Sequence, residues 1–177
     1  MKRLFGVLLA VLVVSPGSAG NTHPADRVIA QVRSRGAESA VRDIWSHPET
    51  VRQLLRGIGS GDARWLEAGQ ALAPGADAGA AEDLQDAFAR ALLARPYAVL
   101  PWLQRHWWSD RPRQACIFGP DSELPGGVRH YVVALRHALS QPGPAELEHL
   151  RRDCLRGLSV TLRSLPVQRH EPGGASD

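Results

Sequence analysis

Ser46-His47-Pro48-Glu49-Thr50-Val51-Arg52-Gln53-Leu54-Leu55-Arg56-Gly57-Ile58-Gly59-Ser60-Gly61-Asp62-Ala63-Arg64-Trp65-Leu66 decides the fold class. Val51, Leu54, Leu55 and Ile58 recur at the i, i+3, i+4, i+7 spacing of one buried helical face. Ser46 and Glu49 have the spacing of a capping box, which predicts Ser46 as N-cap and Glu49 at N3. Gly57, Gly59 and Gly61 read as the end of that helix, because glycine costs helix stability. Asp62 then reads as the cap of a second helix carrying Trp65, Leu66 and Leu72.

The same unit extends in both directions. Asp26 to Arg35 and Glu38 to Trp45 form an earlier pair split at Gly36. Pro74 to Gly79 is a loop, followed by a helix from about Ala80 to Ala94 with Leu84, Phe88, Ala91 and Leu92 on one side. Glu82, Asp83 and Asp86 complement the dipole of its first turns. Pro96 opens a helix through Leu100, Leu103 and Trp107, in which Pro101 predicts a kink or a late start. Ser109 to Gly127 is a long connection rich in turn formers and holding Cys116. Two helices follow. One carries Tyr131, Val132, Leu135, Ala138 and Leu139; the other, after Pro144, carries Leu147, Leu150, Cys154 and Leu158. Runs of β-branched and aromatic residues with period 2 are nearly absent after the N-terminus. The expectation is an all-α fold of short antiparallel helical hairpins, stacked in a HEAT-like or irregular bundle with one disulfide. It would form a single helical domain over 20–165, with a polar, Gly-rich disordered tail over 166–177.

The N-terminus carries an address. Met1-Lys2-Arg3 is a basic start, Leu4 to Val14 an apolar run, and Gly17-Ser18-Ala19 a small-residue exit. That pattern predicts a signal peptide over 1–19, too short in its apolar part to span a bilayer. No Cys stands at the cleavage point to take a lipid anchor, and no later stretch reads as transmembrane. Loss of Lys2 and Arg3 lowers the formal charge from +3 to +1, so the basic pI gives no ground for a nucleic-acid partner. The expected location is periplasmic or secreted. There, an even pair of cysteines, Cys116 and Cys154, predicts one disulfide. Zinc would need more ligands at closer spacing, so neither a metal nor another cofactor is expected.

The short helices, paired every 25 to 30 residues from Asp26 to Trp107, resemble HEAT-type or other helical hairpins. The stretch from Val51 to Leu93 is similar to exported all-helical bacterial proteins, through Ser60-Gly61-Asp62-Ala63-Arg64-Trp65-Leu66 and Pro74-Gly75-Ala76-Asp77-Ala78-Gly79. The resemblance implies an address and a fold, and no reaction.

Candidate chemistry is sparse. Gly57-Ile58-Gly59-Ser60-Gly61-Asp62 resembles a phosphate-cradling loop but lacks the preceding strand and the Lys of a P-loop, so it reads as a helix–helix turn. His130 and His137 share a helix face but lie two turns apart, too far for one metal without further ligands. Glu67, Glu82, Asp83 and Asp86 could supply a carboxylate pair, yet each sits where a solvated helix would want it. The densest unusual segment runs from Trp102 to Arg113. Its candidate binding residues are Trp102, Arg105, Trp107, Trp108, Arg111 and Arg113, the residue types most enriched at binding hot spots. Charge points the same way. Gly20 to Leu100 holds 9 basic and 10 acidic residues, Pro101 to Arg169 holds 10 and 6. The expected function is a non-enzymatic protein-interaction module, such as an immunity or inhibitor protein, with a partner of acidic character, a protein or else an anionic envelope polymer. The alternative is an envelope or peptidoglycan-active hydrolase with an unrecognised acidic site. Oligomeric state is left open.

Overall fold

The computed structural model describes residues 23–103, Cys116 and residues 127–165. The chain forms helices α1 (Pro24–Arg35), α2 (Ala37–Trp45), α3 (Pro48–Gly59), α4 (Ala63–Leu72) and α5 (Ala78–Ala94), then α6 (Pro96–Leu103), α7 (Gly127–Ser140) and α8 (Glu148–Ser164). Short 3-10 turns, Ala73–Gly75 and Ala145–Leu147, lead into α5 and α8. No strand occurs among the described residues, and the fold is an all-α bundle. The expected signal segment, the tail over 166–177 and the long connection apart from Cys116 and Gly127 lie outside the described residues.

Local chemistry explains the helix starts. Pro24, Pro48 and Pro96 each take the first helical position, where a missing N–H costs nothing. Asp62 caps α4 as expected: its Oδ1 accepts from the N–H groups of Arg64 (3.0 Å) and Trp65 (3.2 Å). Asp77 does the same for α5 through the Ala80 N–H (2.9 Å). The Ser46 capping box does not form. His47 is the N-cap of α3, because Pro48 takes N1 and fixes the cap one residue later. The Ser46 hydroxyl instead donates back to the Asp43 carbonyl (2.7 Å), closing the end of α2.

One further expectation changes. Gly57 and Gly59 do not end α3; the helix runs through both. A Cβ at Gly57 would lie 2.3 Å from Trp65 Cδ2, so this glycine lets the indole of α4 seat against the α3 backbone. Gly61, at φ +72°, makes the actual turn, in a region open to glycine. Helix α6 begins at Pro96 without delay and carries Pro101 inside it.

Packing centres on α5. Ala80, Leu84, Ala87, Phe88, Ala89, Ala91 and Leu92 are all buried, on more than one side of the helix, as expected of an element enclosed by neighbours. Each fully buried Leu or Phe there contributes about 1.5–3 kcal/mol of transfer free energy. Sequence neighbours pair (α1–α2, α3–α4, α5–α6, α7–α8), but the broadest contacts are α3 with α5 and α1 with α4. The α1–α4 pairing skips two helices, so of the two forms expected the bundle is the irregular one. Buried residues from all eight helices, with Cys116, form one continuous apolar core, and apart from the Tyr131 hydroxyl no polar or charged side chain is buried among the described residues.

Cys116 and Cys154 form the expected disulfide, with Cα atoms 5.5 Å apart. Both are buried, and Cys154 lies on the core face of α8 beside Leu150 and Leu158.

Candidate functional site

The Trp- and Arg-rich segment enters from α6, and α6 is firmly placed. Gln70 of α4 donates its Nε2 to the Trp102 carbonyl (3.0 Å), tying α6 to α4. Tyr97, at the other end of α6, donates its hydroxyl to the Gln141 carbonyl just beyond α7. Trp102 is half-buried and packs against the core, and Leu103 is buried. The other candidates, Arg105, Trp107, Trp108, Arg111 and Arg113, lie outside the described residues. Of the described residues on either side, α6 packs on both α7 and α8, and Cys116 is bonded to α8.

The receiving hairpin is itself clamped. Arg151 of α8 forks onto Glu148 (Nε to Oε2 2.7 Å, Nη2 to Oε1 2.8 Å) and donates its third nitrogen to the Leu139 carbonyl at the end of α7 (2.9 Å). Arg129 near the start of α7 donates to the Leu165 carbonyl at the end of α8 (3.3 Å). The two helices therefore run antiparallel. The hydrogen bond from Arg151, backed by its charge and that of Arg152, holds the Glu148 carboxyl below the ordinary glutamate range. Burial pushes the Tyr131 hydroxyl on the inner face of α7 up.

The outer faces differ in kind. Val133 on α7 (53 % exposed) and Val160 on α8 (57 %) are the large aliphatics left in solvent among the described residues. His130, Arg136 and His137 lie within one turn of Val133, and Arg156 and Arg163 within one turn of Val160, all exposed. Arg136 and Arg163 have no hydrogen-bond or ion-pair partner among the described residues. Between Gly127 and Leu165 there are six arginines against three acids, whereas His23 to Leu103 holds nine against ten. The basic bias read from the sequence is thus carried by the α7–α8 hairpin.

A second feature was not anticipated. A cleft of about 250 Å³ opens between α1, α3 and α4, with Ile44 of α2 in its floor. Val28, Ile44 and Leu54 form a buried apolar floor, and half-buried Trp65 forms a wall. The His23 ring meets the Trp65 indole edge-on, with centroids 5.5 Å apart. Exposed Arg27, Thr50 and Gln53 stand at the rim. Such a cleft is built by contacts between helices far apart in sequence, which local periodicity does not encode.

The remaining candidates fall into structural roles. Gly57 to Asp62 is the α3–α4 turn. His23 Nδ1 accepts from the Ala25 N–H (3.2 Å) as the cap of α1, and the His47 ring lies 2.8 Å from the Asp43 carbonyl. Asp83 accepts from the Trp45 indole N–H (2.9 Å), a tie between α2 and α5 that no spacing in the sequence announces. Glu67 faces Arg33 and Asp86 faces Arg90, each at 3.9 Å. No group of three or more His, Cys, Asp or Glu side chains converges on a metal-sized site among the described residues. Comparison with protein-family models, curated proteins and solved structures returns no match.

Proposed function

We propose that the chain is an exported, non-enzymatic protein-interaction module of the kind an immunity or inhibitor protein represents. It works in the periplasm or outside the cell and binds an acidic partner protein. The buried Cys116–Cys154 disulfide supports the address, since such bonds persist in oxidising compartments. Among the described residues, no helix is long and apolar enough to cross a membrane.

One observation carries the interaction reading. Val133 and Val160 stand exposed on the α7–α8 hairpin near Arg136 and Arg163, which have no ion-pair partner among the described residues, and the sequence between α6 and Cys116, itself bonded to this hairpin, holds Trp107, Trp108, Arg111 and Arg113. Aromatic and arginine anchors next to exposed aliphatics are the composition of a binding hot spot. An excess of positive charge there favours a partner of opposite sign and speeds its approach.

The test is retention of envelope-fraction proteins of the source cells on immobilised protein. Wild type is expected to hold an acidic protein that elutes with salt, and a Trp108→Ala/Arg111→Ala variant with unchanged urea midpoint is expected to lose it. Equal retention by both, or retention of a basic protein, would overturn the placement.

A further inference from the structure

The cleft between α1, α3 and α4 plays no part in the function proposed above. Its volume of about 250 Å³ far exceeds the ~10–15 Å³ that one water needs. Its floor of Val28, Ile44 and Leu54 offers no polar group to water except backbone already held in helices. An apolar group of leucine or phenylalanine size suits it better than solvent does.

The rim supplies the second half of the recognition. Arg27, Thr50 and Gln53 have no side-chain hydrogen bond or ion pair among the described residues. The charged neighbours pair elsewhere: Asp26 with Arg64 at 3.2 Å, and Glu49 with Arg52. The Gln31 amide is likewise occupied, donating to Asp43 at 2.6 Å. Arg27 is therefore an uncompensated cation at the rim of a cleft whose floor is apolar. Thr50 and Gln53 can meet both a donor and an acceptor, as a peptide bond requires.

We propose that this cleft binds the apolar C-terminal residue of a polypeptide, its side chain on the Val28–Leu54 floor and its carboxylate on Arg27. A peptide terminus fits better than a simple fatty acid because it alone has an amide for Thr50 and Gln53 to hold.

The test uses the full chain labelled with ¹⁵N and follows the Trp65 indole N–H signal, assigned with a Trp65→Phe variant. The probes are N-acetylleucine, N-acetylleucine amide and octanoate. N-acetylleucine is expected to shift the signal with a Kd on the order of a millimolar, as suits so small a ligand. The amide should bind at least about fivefold more weakly, and Arg27→Gln should abolish that preference while leaving the amide's own affinity unchanged. Equal binding of acid and amide would overturn the carboxylate assignment. Tighter binding of octanoate than of N-acetylleucine would overturn the peptide terminus, and no shift with any probe would overturn the site.

Discussion

Gly57 sits inside α3, so the helix alone would favour alanine there by about 1 kcal/mol. The tertiary structure opposes this. A Cβ at that position would approach three atoms of the Trp65 ring, Cδ2, Cε2 and Cγ, at 2.3–2.5 Å. The obstacle is a rigid fused ring, itself in edge-on contact with His23, and overpacking of this sort costs about 1–3 kcal/mol. The clash wins, and Gly57→Ala is expected to destabilise the protein by about 1 kcal/mol. Removing the indole removes the obstacle. In a Trp65→Ala background the same substitution should stabilise by about 1 kcal/mol, the helix term alone. The sign therefore reverses, and the coupling between the two positions is about 2 kcal/mol. Urea unfolding followed by far-UV circular dichroism on the four variants measures it. A Gly57→Ala substitution that stabilises equally in both backgrounds would refute the seating of Trp65 on the α3 backbone, and with it the wall of the cleft.

Two further outcomes follow from the α7–α8 side. Cys116 and Cys154 stand 38 residues apart, so their bond stabilises by about 4 kcal/mol on the chain-entropy model; a Cys116→Ala/Cys154→Ala variant should lose most of that in urea unfolding, and wild type in reductant should match it. Glu148 is held below its ordinary pKa by Arg151, so its contribution is present above the unfolded-state value near 4.3 and is lost as pH falls through the folded-state value. The urea midpoints of wild type and Glu148→Gln should therefore differ at pH 6 and converge in acid; a gap that persists at pH 2 would contradict this.

Much of the architecture was legible because it is local. The Leu54/Ile58 stripe, the Asp62 cap and the Pro96 start each depend on residues within one or two helical turns. Two local signals misled for physical reasons. Ser46 and Glu49 have capping-box spacing, but Pro48 prefers N1 so strongly that His47 becomes the cap; Glu49 turns to Arg52 instead. Gly57 looks like a helix end in a list of propensities, yet its missing Cβ serves Trp65, a residue of the next helix. The ties that place the sites were not legible at all. Trp45 with Asp83, Gln70 with the Trp102 carbonyl and Arg151 with the Leu139 carbonyl span 38, 32 and 12 residues, and no periodicity marks them. The Cys pair was the exception, because export and an even count suffice to propose it.

The proposed function puts an acidic protein on the α7–α8 hairpin. Arg136 and Arg163 are exposed and unpaired among the described residues, so charge reversal there leaves the core untouched. The most direct measurement is the affinity of the retained partner for wild type and for Arg136→Glu/Arg163→Glu, at low and at physiological salt. A loss of at least about tenfold is expected, larger at low salt and carried mainly by slower association. Unchanged affinity and unchanged salt dependence in a variant with wild-type unfolding would contradict it.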